Sequence, residues 1–121
     1  MADPIFDTCI IVDWLSGHEQ AAIELERYQR HRISRVSWTE ILAGEPPASR
    51  DVVQSLIAPF EVVEVDMRIS AAAAEIRHNS GMHLLDATIL ATAQVSGAIL
   101  VTRNTVDFPA SLPGIRVPYT L

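Results

Sequence analysis

The part of the sequence that most restricts the fold is residues 84–102. The first eleven of these residues, 84–94, are almost all apolar over the length of a helix, and a single carboxylate, Asp86, stands near their start. After Ser96-Gly97, residues 98–102 form a short, continuously apolar run of the kind found in buried parallel strands. A core helix has no use for an isolated charge, so Asp86 must face either water or a positive partner. The segment therefore predicts a core helix, a buried strand and a carboxylate that needs an explanation.

The rest of the chain repeats this alternation of short apolar strands and helices. Such alternation predicts an α/β fold with a central parallel sheet and helices on both of its faces. We predict strands at 5–6, 33–36, 60–65, 98–102 and, at the sheet edge, 114–117, and helices at 9–15, 18–32, 37–44, 49–56, 69–78 and 84–94. A length of 121 residues suits one domain with a real core, so residues 1–121 are expected to form a single domain.

Charge and cysteine content restrict the function. The net charge of −6 argues against a large non-specific nucleic-acid surface, which would usually be basic. All nine basic residues are arginines, and the densest basic run, Arg27–Arg35, is either a solvated helix end near the C-terminal dipole or a surface that contacts phosphate. The lone Cys9 excludes a disulfide framework and a cysteine-based zinc site. No apolar run approaches the ~20 residues of a membrane span and no signal pattern opens the chain, so we expect a cytoplasmic protein without membrane contact.

Four acidic residues stand out by their positions relative to the predicted strands. Asp7 follows the first strand, Glu40 lies on the helix after the second, Asp86 heads the helix before the fourth, and Asp107 is in the loop after the fourth. Ligands of open α/β sheets bind outside the carboxyl ends of the strands, so these acids are expected to converge at one edge. Converging carboxylates raise each other's pKa unless a cation neutralises them. An all-oxygen cluster suits a hard divalent ion, above all Mg²⁺, with Mn²⁺ as a substitute.

Each of these acids also has a purely structural interpretation. Asp7 can be the N-cap of the first helix, and Glu40 can complete a capping box that begins at Ser37. Asp86 can be an exposed residue at a helix start, and Asp107 can bond its own loop backbone. The shared position near strand ends and helix starts favours the metal-site interpretation. The acids that we interpret as structural are Asp3, Asp13 and Asp66.

Four segments of the chain resemble the four motifs of PIN domains, and most of all those of VapC-type toxins from bacterial toxin–antitoxin pairs. They are residues 5–11 (IFDTCII), 38–41 (WTEI), 85–93 (LDATILATA) and 101–108 (VTRNTVDF). The resemblance implies a three-layer α/β/α domain with a central parallel sheet. It also implies an endoribonuclease that depends on Mg²⁺ or Mn²⁺, a homodimer, and a VapB-like antitoxin that blocks the site and alone needs to contact DNA.

The same resemblance assigns roles to individual residues. Asp7, Glu40, Asp86 and Asp107 match the acidic cluster that is both catalytic and metal-binding. Thr8 and Asn104 match positions that orient ligands or bind through water, and Arg103 matches a position close enough to touch a phosphate. Residues 79–85 depart from the pattern, because many such toxins carry basic residues and a glycine-rich turn there, whereas this chain has one glycine and His83. His83 is therefore either a loop residue or a substrate contact.

Other functions compete with the nuclease. The main alternative is a catalytically silent module with the same fold, which acts mainly by binding its antitoxin in a regulatory complex. A phospho-acceptor domain of the response-regulator type also clusters acids around Mg²⁺, but it needs a late lysine and this chain has none. A nuclease that acts on DNA or on flap structures is the remaining possibility.

Overall fold

The computed structural model describes residues 3–121, in which five short strands alternate with six helices. The strands are β1 (Pro4–Phe6), β2 (Arg32–Ser34), β3 (Glu61–Val63), β4 (Ile99–Val101) and β5 (Ile115–Arg116). The helices are α1 (Thr8–Leu15), α2 (Glu19–Glu26), α3 (Arg35–Ala43), α4 (Pro47–Ile57), α5 (Met67–Ser80) and α6 (Leu84–Val95). All strand pairs are parallel, and the strand order is β3-β2-β1-β4-β5. The predicted α/β fold with a central parallel sheet is confirmed.

Helices cover both faces of the sheet because neighbouring residues of a strand point to opposite faces. On β1, Phe6 belongs to the core shared with α1, whereas Ile5 belongs to the core shared with α6. Both side chains are fully buried. The result is the three-layer α/β/α arrangement. None of the six helices within residues 3–121 combines the length and the hydropathy that a membrane-spanning segment needs.

The second helix is shorter than the pattern predicts, because α2 ends at Glu26 and not at Arg32. The amides of Arg27 and Tyr28 bond to carbonyls three residues back at 3.2 Å, which tightens and closes the last turn. The ring of His31 then contacts the Leu25 carbonyl at 2.7 Å and folds the chain back toward β2. Early closure leaves room for β2 to begin at residue 32 and for the next helix to begin at residue 35.

The predicted capping box at Ser37 and Glu40 is wrong. Helix α3 begins two residues earlier, at Arg35, and its N-cap is Ser34, whose hydroxyl accepts a hydrogen bond from the Val36 amide at 3.1 Å. Ser37 is therefore inside the helix, and Glu40 is about one turn further along the same helix. Glu40 has no capping function in this structure.

Candidate active site

Asp7 stands where β1 passes into α1, at the carboxyl end of the central strand. One carboxylate oxygen, Oδ1, accepts a hydrogen bond from the Thr8 amide at 2.8 Å, so Asp7 does cap α1. The other, Oδ2, accepts from the Thr102 hydroxyl at 2.7 Å and from the Cys9 thiol at 3.4 Å. Burial raises the pKa of Asp7 above its ordinary value, these hydrogen bonds lower it only in part, and the charge of Glu40 raises it further.

Glu40 is held beside Asp7 by a side chain from α1. The Thr8 hydroxyl donates to Glu40 Oε1 at 2.7 Å and lies 3.0 Å from the hydroxyl of buried Ser37. These contacts join the first turn of α1 to α3 across the end of the sheet. Thr8 therefore orients an acidic side chain, which is a placement consistent with the role that the family resemblance implies.

Asp86 lies in the first turn of α6 and is half-buried. Burial and then the charges of Asp107, Asp7 and Glu40 raise the pKa of Asp86 to about 6, whereas the charge of His83 acts in the opposite direction. Each of the other three acids is thus close enough for its charge to act on Asp86. The fold brings together the four acids that the sequence singled out.

Asp107 is exposed in the loop after β4, and Asn104 fixes its orientation. The Asn104 side-chain amide donates to Asp107 Oδ2 at 2.7 Å, and the Asp107 amide donates back to Asn104 Oδ1 at 3.3 Å. The Asn104 amide in turn donates to the Thr102 hydroxyl oxygen at 3.0 Å. Thr102 therefore connects the environment of Asp107 with that of Asp7, which its own hydroxyl contacts.

Thr102 and Ser37 are site residues that the sequence reasoning missed. Both are fully buried, and both contact a residue of the acidic cluster or its supporting threonine. The signal for Thr102 was available: it directly follows β4, which pairs with β1, so it lies at the same sheet edge as Asp7.

Arg103 does not point into the acidic cluster. Its guanidinium makes a two-pronged ion pair with Asp13 on α1, with N–O distances of 2.6 and 2.8 Å. Asp13 also accepts a hydrogen bond from the Tyr119 hydroxyl at 2.7 Å. Burial alone would raise the pKa of Asp13, but the hydrogen bonds from Arg103 and Tyr119 hold it below its ordinary value.

The basic run Arg27–Arg35 is largely neutralised by acids of the same chain. Arg30 contacts Asp3 at 3.0 Å and Glu61 at 2.8 Å, and Arg35 is paired with Glu64. Arg27 lies 3.6 Å from Glu24. Neither sequence interpretation foresaw this, because α2 ends before Arg27 and the acids that pair with Arg30 and Arg35 come from distant parts of the chain.

The donor set of the cluster suits a hard divalent cation. The ion pairs found within residues 3–121 engage other acids and leave Asp7, Glu40, Asp86 and Asp107 without an arginine partner. Burial and the nearby charge of Asp7 raise the pKa of the Cys9 thiol to about 11, and the four acids themselves offer only oxygen ligands. In the same described part of the chain, no three or more His, Cys, Asp or Glu side chains are spaced closely enough to hold a metal as they stand. The acids therefore converge without forming a closed cage.

Comparison with known proteins agrees with this arrangement. The family model described as PIN domain matches residues 5–110. A chain of a toxin–antitoxin complex from Klebsiella pneumoniae is 32% identical, with a TM-score of 0.90, over 98% of this chain and 100% of its own length. Among curated protein sequences, none matches significantly.

Two further solved structures share the fold. FitAcB from Neisseria gonorrhoeae gives a TM-score of 0.80 at 22% identity, covering 98% of this chain and 99% of that one. DNA-bound VapBC from Salmonella typhimurium gives a TM-score of 0.78 at 25% identity, covering 96% of each chain. The chain therefore belongs to the PIN domain family, and its resemblance to VapC-type toxins is confirmed.

Proposed function

We propose that this protein is a Mg²⁺-dependent endoribonuclease and the toxin of a toxin–antitoxin pair. The observation that carries the proposal is the contrast between its acids. The two buried acids outside the cluster, Asp13 and Glu24, are paired with arginine, whereas the four acids at the carboxyl edge of the sheet lie near one another without such a partner. Unpaired carboxylates that repel one another are costly unless a cation joins them. A protein that retains such a cluster is equipped to bind a metal.

The residues of the chain would divide the work as follows. Asp7 and Asp86 are the strongest candidates for direct ligands, and Glu40 and Asp107 complete the acidic set. Each acid except Asp86 is oriented by a neutral donor: Thr102 for Asp7, Thr8 for Glu40 and Asn104 for Asp107. A bound Mg²⁺ would lower the pKa of a coordinated water and offset charge on the scissile phosphate.

The substrate and partners follow from the same proposal. RNA would be cut at an unpaired segment, because single strands and loops offer the access that a duplex denies. A VapB-like antitoxin would cover the site, and the protein would act as a homodimer. Support for the antitoxin comes from the 32% identical chain, which was solved in a toxin–antitoxin complex. His83 keeps both of its interpretations, as a loop residue or as a substrate contact, and the effect of its charge on the pKa of Asp86 supports the second.

The test is cleavage of bulk RNA by the wild-type protein and by Asp86→Asn, each with Mg²⁺, Mn²⁺ or EDTA. Asp66→Asn is the matched control, because Asp66 caps α5 by accepting from the Ile69 amide and asparagine caps equally well. Loss of a supporting group already costs 10–100-fold at metal sites, so Asp86→Asn should lose more than about 100-fold in rate. Asp66→Asn should cut like wild type. An Asp86→Asn protein that cuts at the wild-type rate would refute the site.

The second candidate is the catalytically silent module that acts by binding its antitoxin. The observation in its favour is that, within residues 3–121, no three of the acids are grouped closely enough to hold a metal ion. This alternative predicts a folded protein that binds the antitoxin equally well with and without Asp86, and that cuts no RNA under any metal condition.

A further inference from the structure

A buried trio of side chains lies outside the acidic cluster but next to it. Asp13, in the last turn of α1, is only 4% exposed and accepts two hydrogen bonds from the Arg103 guanidinium and one from the Tyr119 hydroxyl. Such charge-assisted, two-pronged contacts are the strong and geometrically specific class of hydrogen bond. Tyr119 belongs to the C-terminal segment after β5, so the trio joins three distant parts of the chain.

Arg103 connects this trio with the acidic cluster through its two neighbours in sequence. The residue before it, Thr102, contacts Asp7, and the residue after it, Asn104, contacts Asp107. Each of the three consecutive residues 102–104 is thus held by a different contact. Because Asp13 lies on the helix that Asp7 caps, the tie at Arg103 fixes the loop relative to the same helix that carries the first acid.

We propose that Asp13 and Tyr119 are positioning residues of the active site, which act by holding Arg103 and, through it, the loop that carries Asn104 and Asp107. The proposal rests on the proposed nuclease function for its kinetic consequences. Its structural part, that the trio sets the order of residues 102–108, stands independently. A shift of about 1 Å in a reacting group can cost 10²-fold in rate, so a tie that fixes one acid against another matters for chemistry.

The chain contains a matched control for this trio. Glu24, 3% exposed, accepts two hydrogen bonds from Arg116 at 2.7 and 2.9 Å and one from the Tyr28 hydroxyl at 3.2 Å. The burial and the arginine and tyrosine contacts match those of Asp13, except that Arg27 also lies 3.6 Å from Glu24. Neither Glu24 nor Tyr28 neighbours a residue of the acidic cluster in sequence. Arg116 meets Thr102 only through its backbone carbonyl, a contact that substitution of Glu24 leaves in place.

The first measurement needs neither RNA nor metal. Amide hydrogen exchange is compared in wild type, Asp13→Asn and Glu24→Gln, with Tyr119→Phe and Tyr28→Phe as milder versions of the two changes. The amides of residues 104–108 should exchange at least about tenfold faster in Asp13→Asn, and a few-fold faster in Tyr119→Phe, because local opening becomes easier. The Glu24 and Tyr28 variants should leave those amides unchanged. Equal exchange of this loop in the two sets of variants would overturn the proposal.

The second measurement separates this role from a direct phosphate contact by Arg103. With Mn²⁺ at saturation, Asp13→Asn should lower kcat for RNA cleavage by about 10–100-fold and change KM little, because the bound substrate is no longer met by a fixed acid. Glu24→Gln should keep wild-type values. If freeing Arg103 from Asp13 instead lowers KM and spares kcat, Arg103 binds phosphate and the positioning role is wrong.

The two proposals fail in different ways. A wild-type protein that cuts no RNA overturns the nuclease function, and amide exchange and Mn²⁺ affinity then still decide the role of the trio. Mn²⁺ affinity should fall several-fold in Asp13→Asn and stay unchanged in Glu24→Gln. Unchanged affinity in both variants, with unchanged exchange, would leave the trio as a stabilising contact only and would refute the positioning role.

Discussion

Two aspartates of helix α1 have the same exposure and opposite electrostatics. Asp7 at the N-cap and Asp13 in the last turn are each 4% exposed. The pKa of Asp7 is raised, because burial outweighs its hydrogen bonds from neutral groups, whereas the pKa of Asp13 is lowered, because Arg103 and Tyr119 outweigh burial. Burial alone therefore does not decide the state of an acid. The charges and hydrogen bonds of its partners act together with burial.

The difference separates structural acids from acids available for function. Asp13 accepts hydrogen bonds from groups of its own chain, one of them positively charged, and therefore needs no external cation. Asp7 is held in place by Thr8, Thr102 and Cys9, none of which neutralises it. These contacts fix the geometry of Asp7 and leave its charge uncompensated, which suits the metal-ligand role proposed for it.

The largest expected effect is a loss of stability when Asp13 is substituted. Asp13→Asn should lower the free energy of unfolding by about 3 kcal/mol, because it leaves the Arg103 guanidinium without its charged partner. Asp7→Asn should cost about 1 kcal/mol or less in metal-free protein, because it leaves no opposite charge unpaired. Urea denaturation of both variants without metal measures the difference. Equal losses would show that partner charge does not distinguish the two sites.

The fold and the convergence of the acids could be predicted from the sequence for one physical reason. Parallel strands that alternate with helices end at a common edge, so Asp7 and Asp107 had to lie near each other once their strands were located. The same rule applied to Thr102, which follows β4. It was missed because a neutral hydroxyl gives no charge signal in the sequence.

Other features depend on side-chain directions that no periodicity encodes. Asp13 and Arg103 are ninety residues apart in sequence and meet only after the sheet has formed. Tyr119 reaches them from a segment without regular structure. The early end of α2 likewise depends on the contact of the His31 ring with the Leu25 carbonyl, a tertiary contact within an otherwise helical pattern.

A smaller effect tests how Asp7 is supported. Thr102→Val removes the hydroxyl that donates to Asp7 and accepts from Asn104, at nearly unchanged volume. Leaving buried polar groups without a partner should cost about 2 kcal/mol in the free energy of unfolding. Thr39→Val is the control, because the Thr39 hydroxyl is exposed and donates only to a carbonyl of its own helix. Thermal denaturation that ranks the two variants equally would contradict the assigned role of Thr102.

The next effect is on the affinity for Mn²⁺, which should depend on pH because protons compete for the carboxylates. Because the pKa of Asp86 is raised to about 6, protons should compete with Mn²⁺ for the cluster below that pH. Mn²⁺ affinity should then fall by about tenfold, or 1.4 kcal/mol, for each pH unit below 6, and should level off above it. Calorimetric titration from pH 5 to pH 8 measures the profile. In Asp86→Asn the remaining affinity should lose most of this dependence, and a wild-type profile that is flat across pH 6 would contradict the assignment.

The smallest effect is a gain in the free energy of unfolding of the metal-free protein, whereas substitution of Asp13 lowers that free energy. The folded pKa of Asp86, about 6, lies above the ordinary value of about 3.9 in an unfolded chain. Between these values the folded state holds a proton that the unfolded chain has lost, so stability falls as pH rises through this window. Asp86→Asn removes the penalty and should stabilise metal-free protein at pH 7.5 by about 1 kcal/mol, a figure reduced for the partial exposure of the side chain.

This gain should become negligible by about pH 3, where the folded and the unfolded protein both carry a mostly protonated Asp86. It should reverse when Mn²⁺ is added to wild type at neutral pH, because a bound ion stabilises only the folded protein that retains the acid. Urea denaturation at pH 7.5 and at the acidic pH, with and without Mn²⁺, measures the gain, its loss at acidic pH and its reversal by Mn²⁺. Asp66→Asn, at a cap outside the cluster, should show none of the three. If Asp86→Asn destabilises the metal-free protein at neutral pH, the carboxylate is satisfied within the chain as Asp13 is. The distinction between acids paired with arginine and acids without such a partner then fails at Asp86, the residue on which the metal proposal depends most.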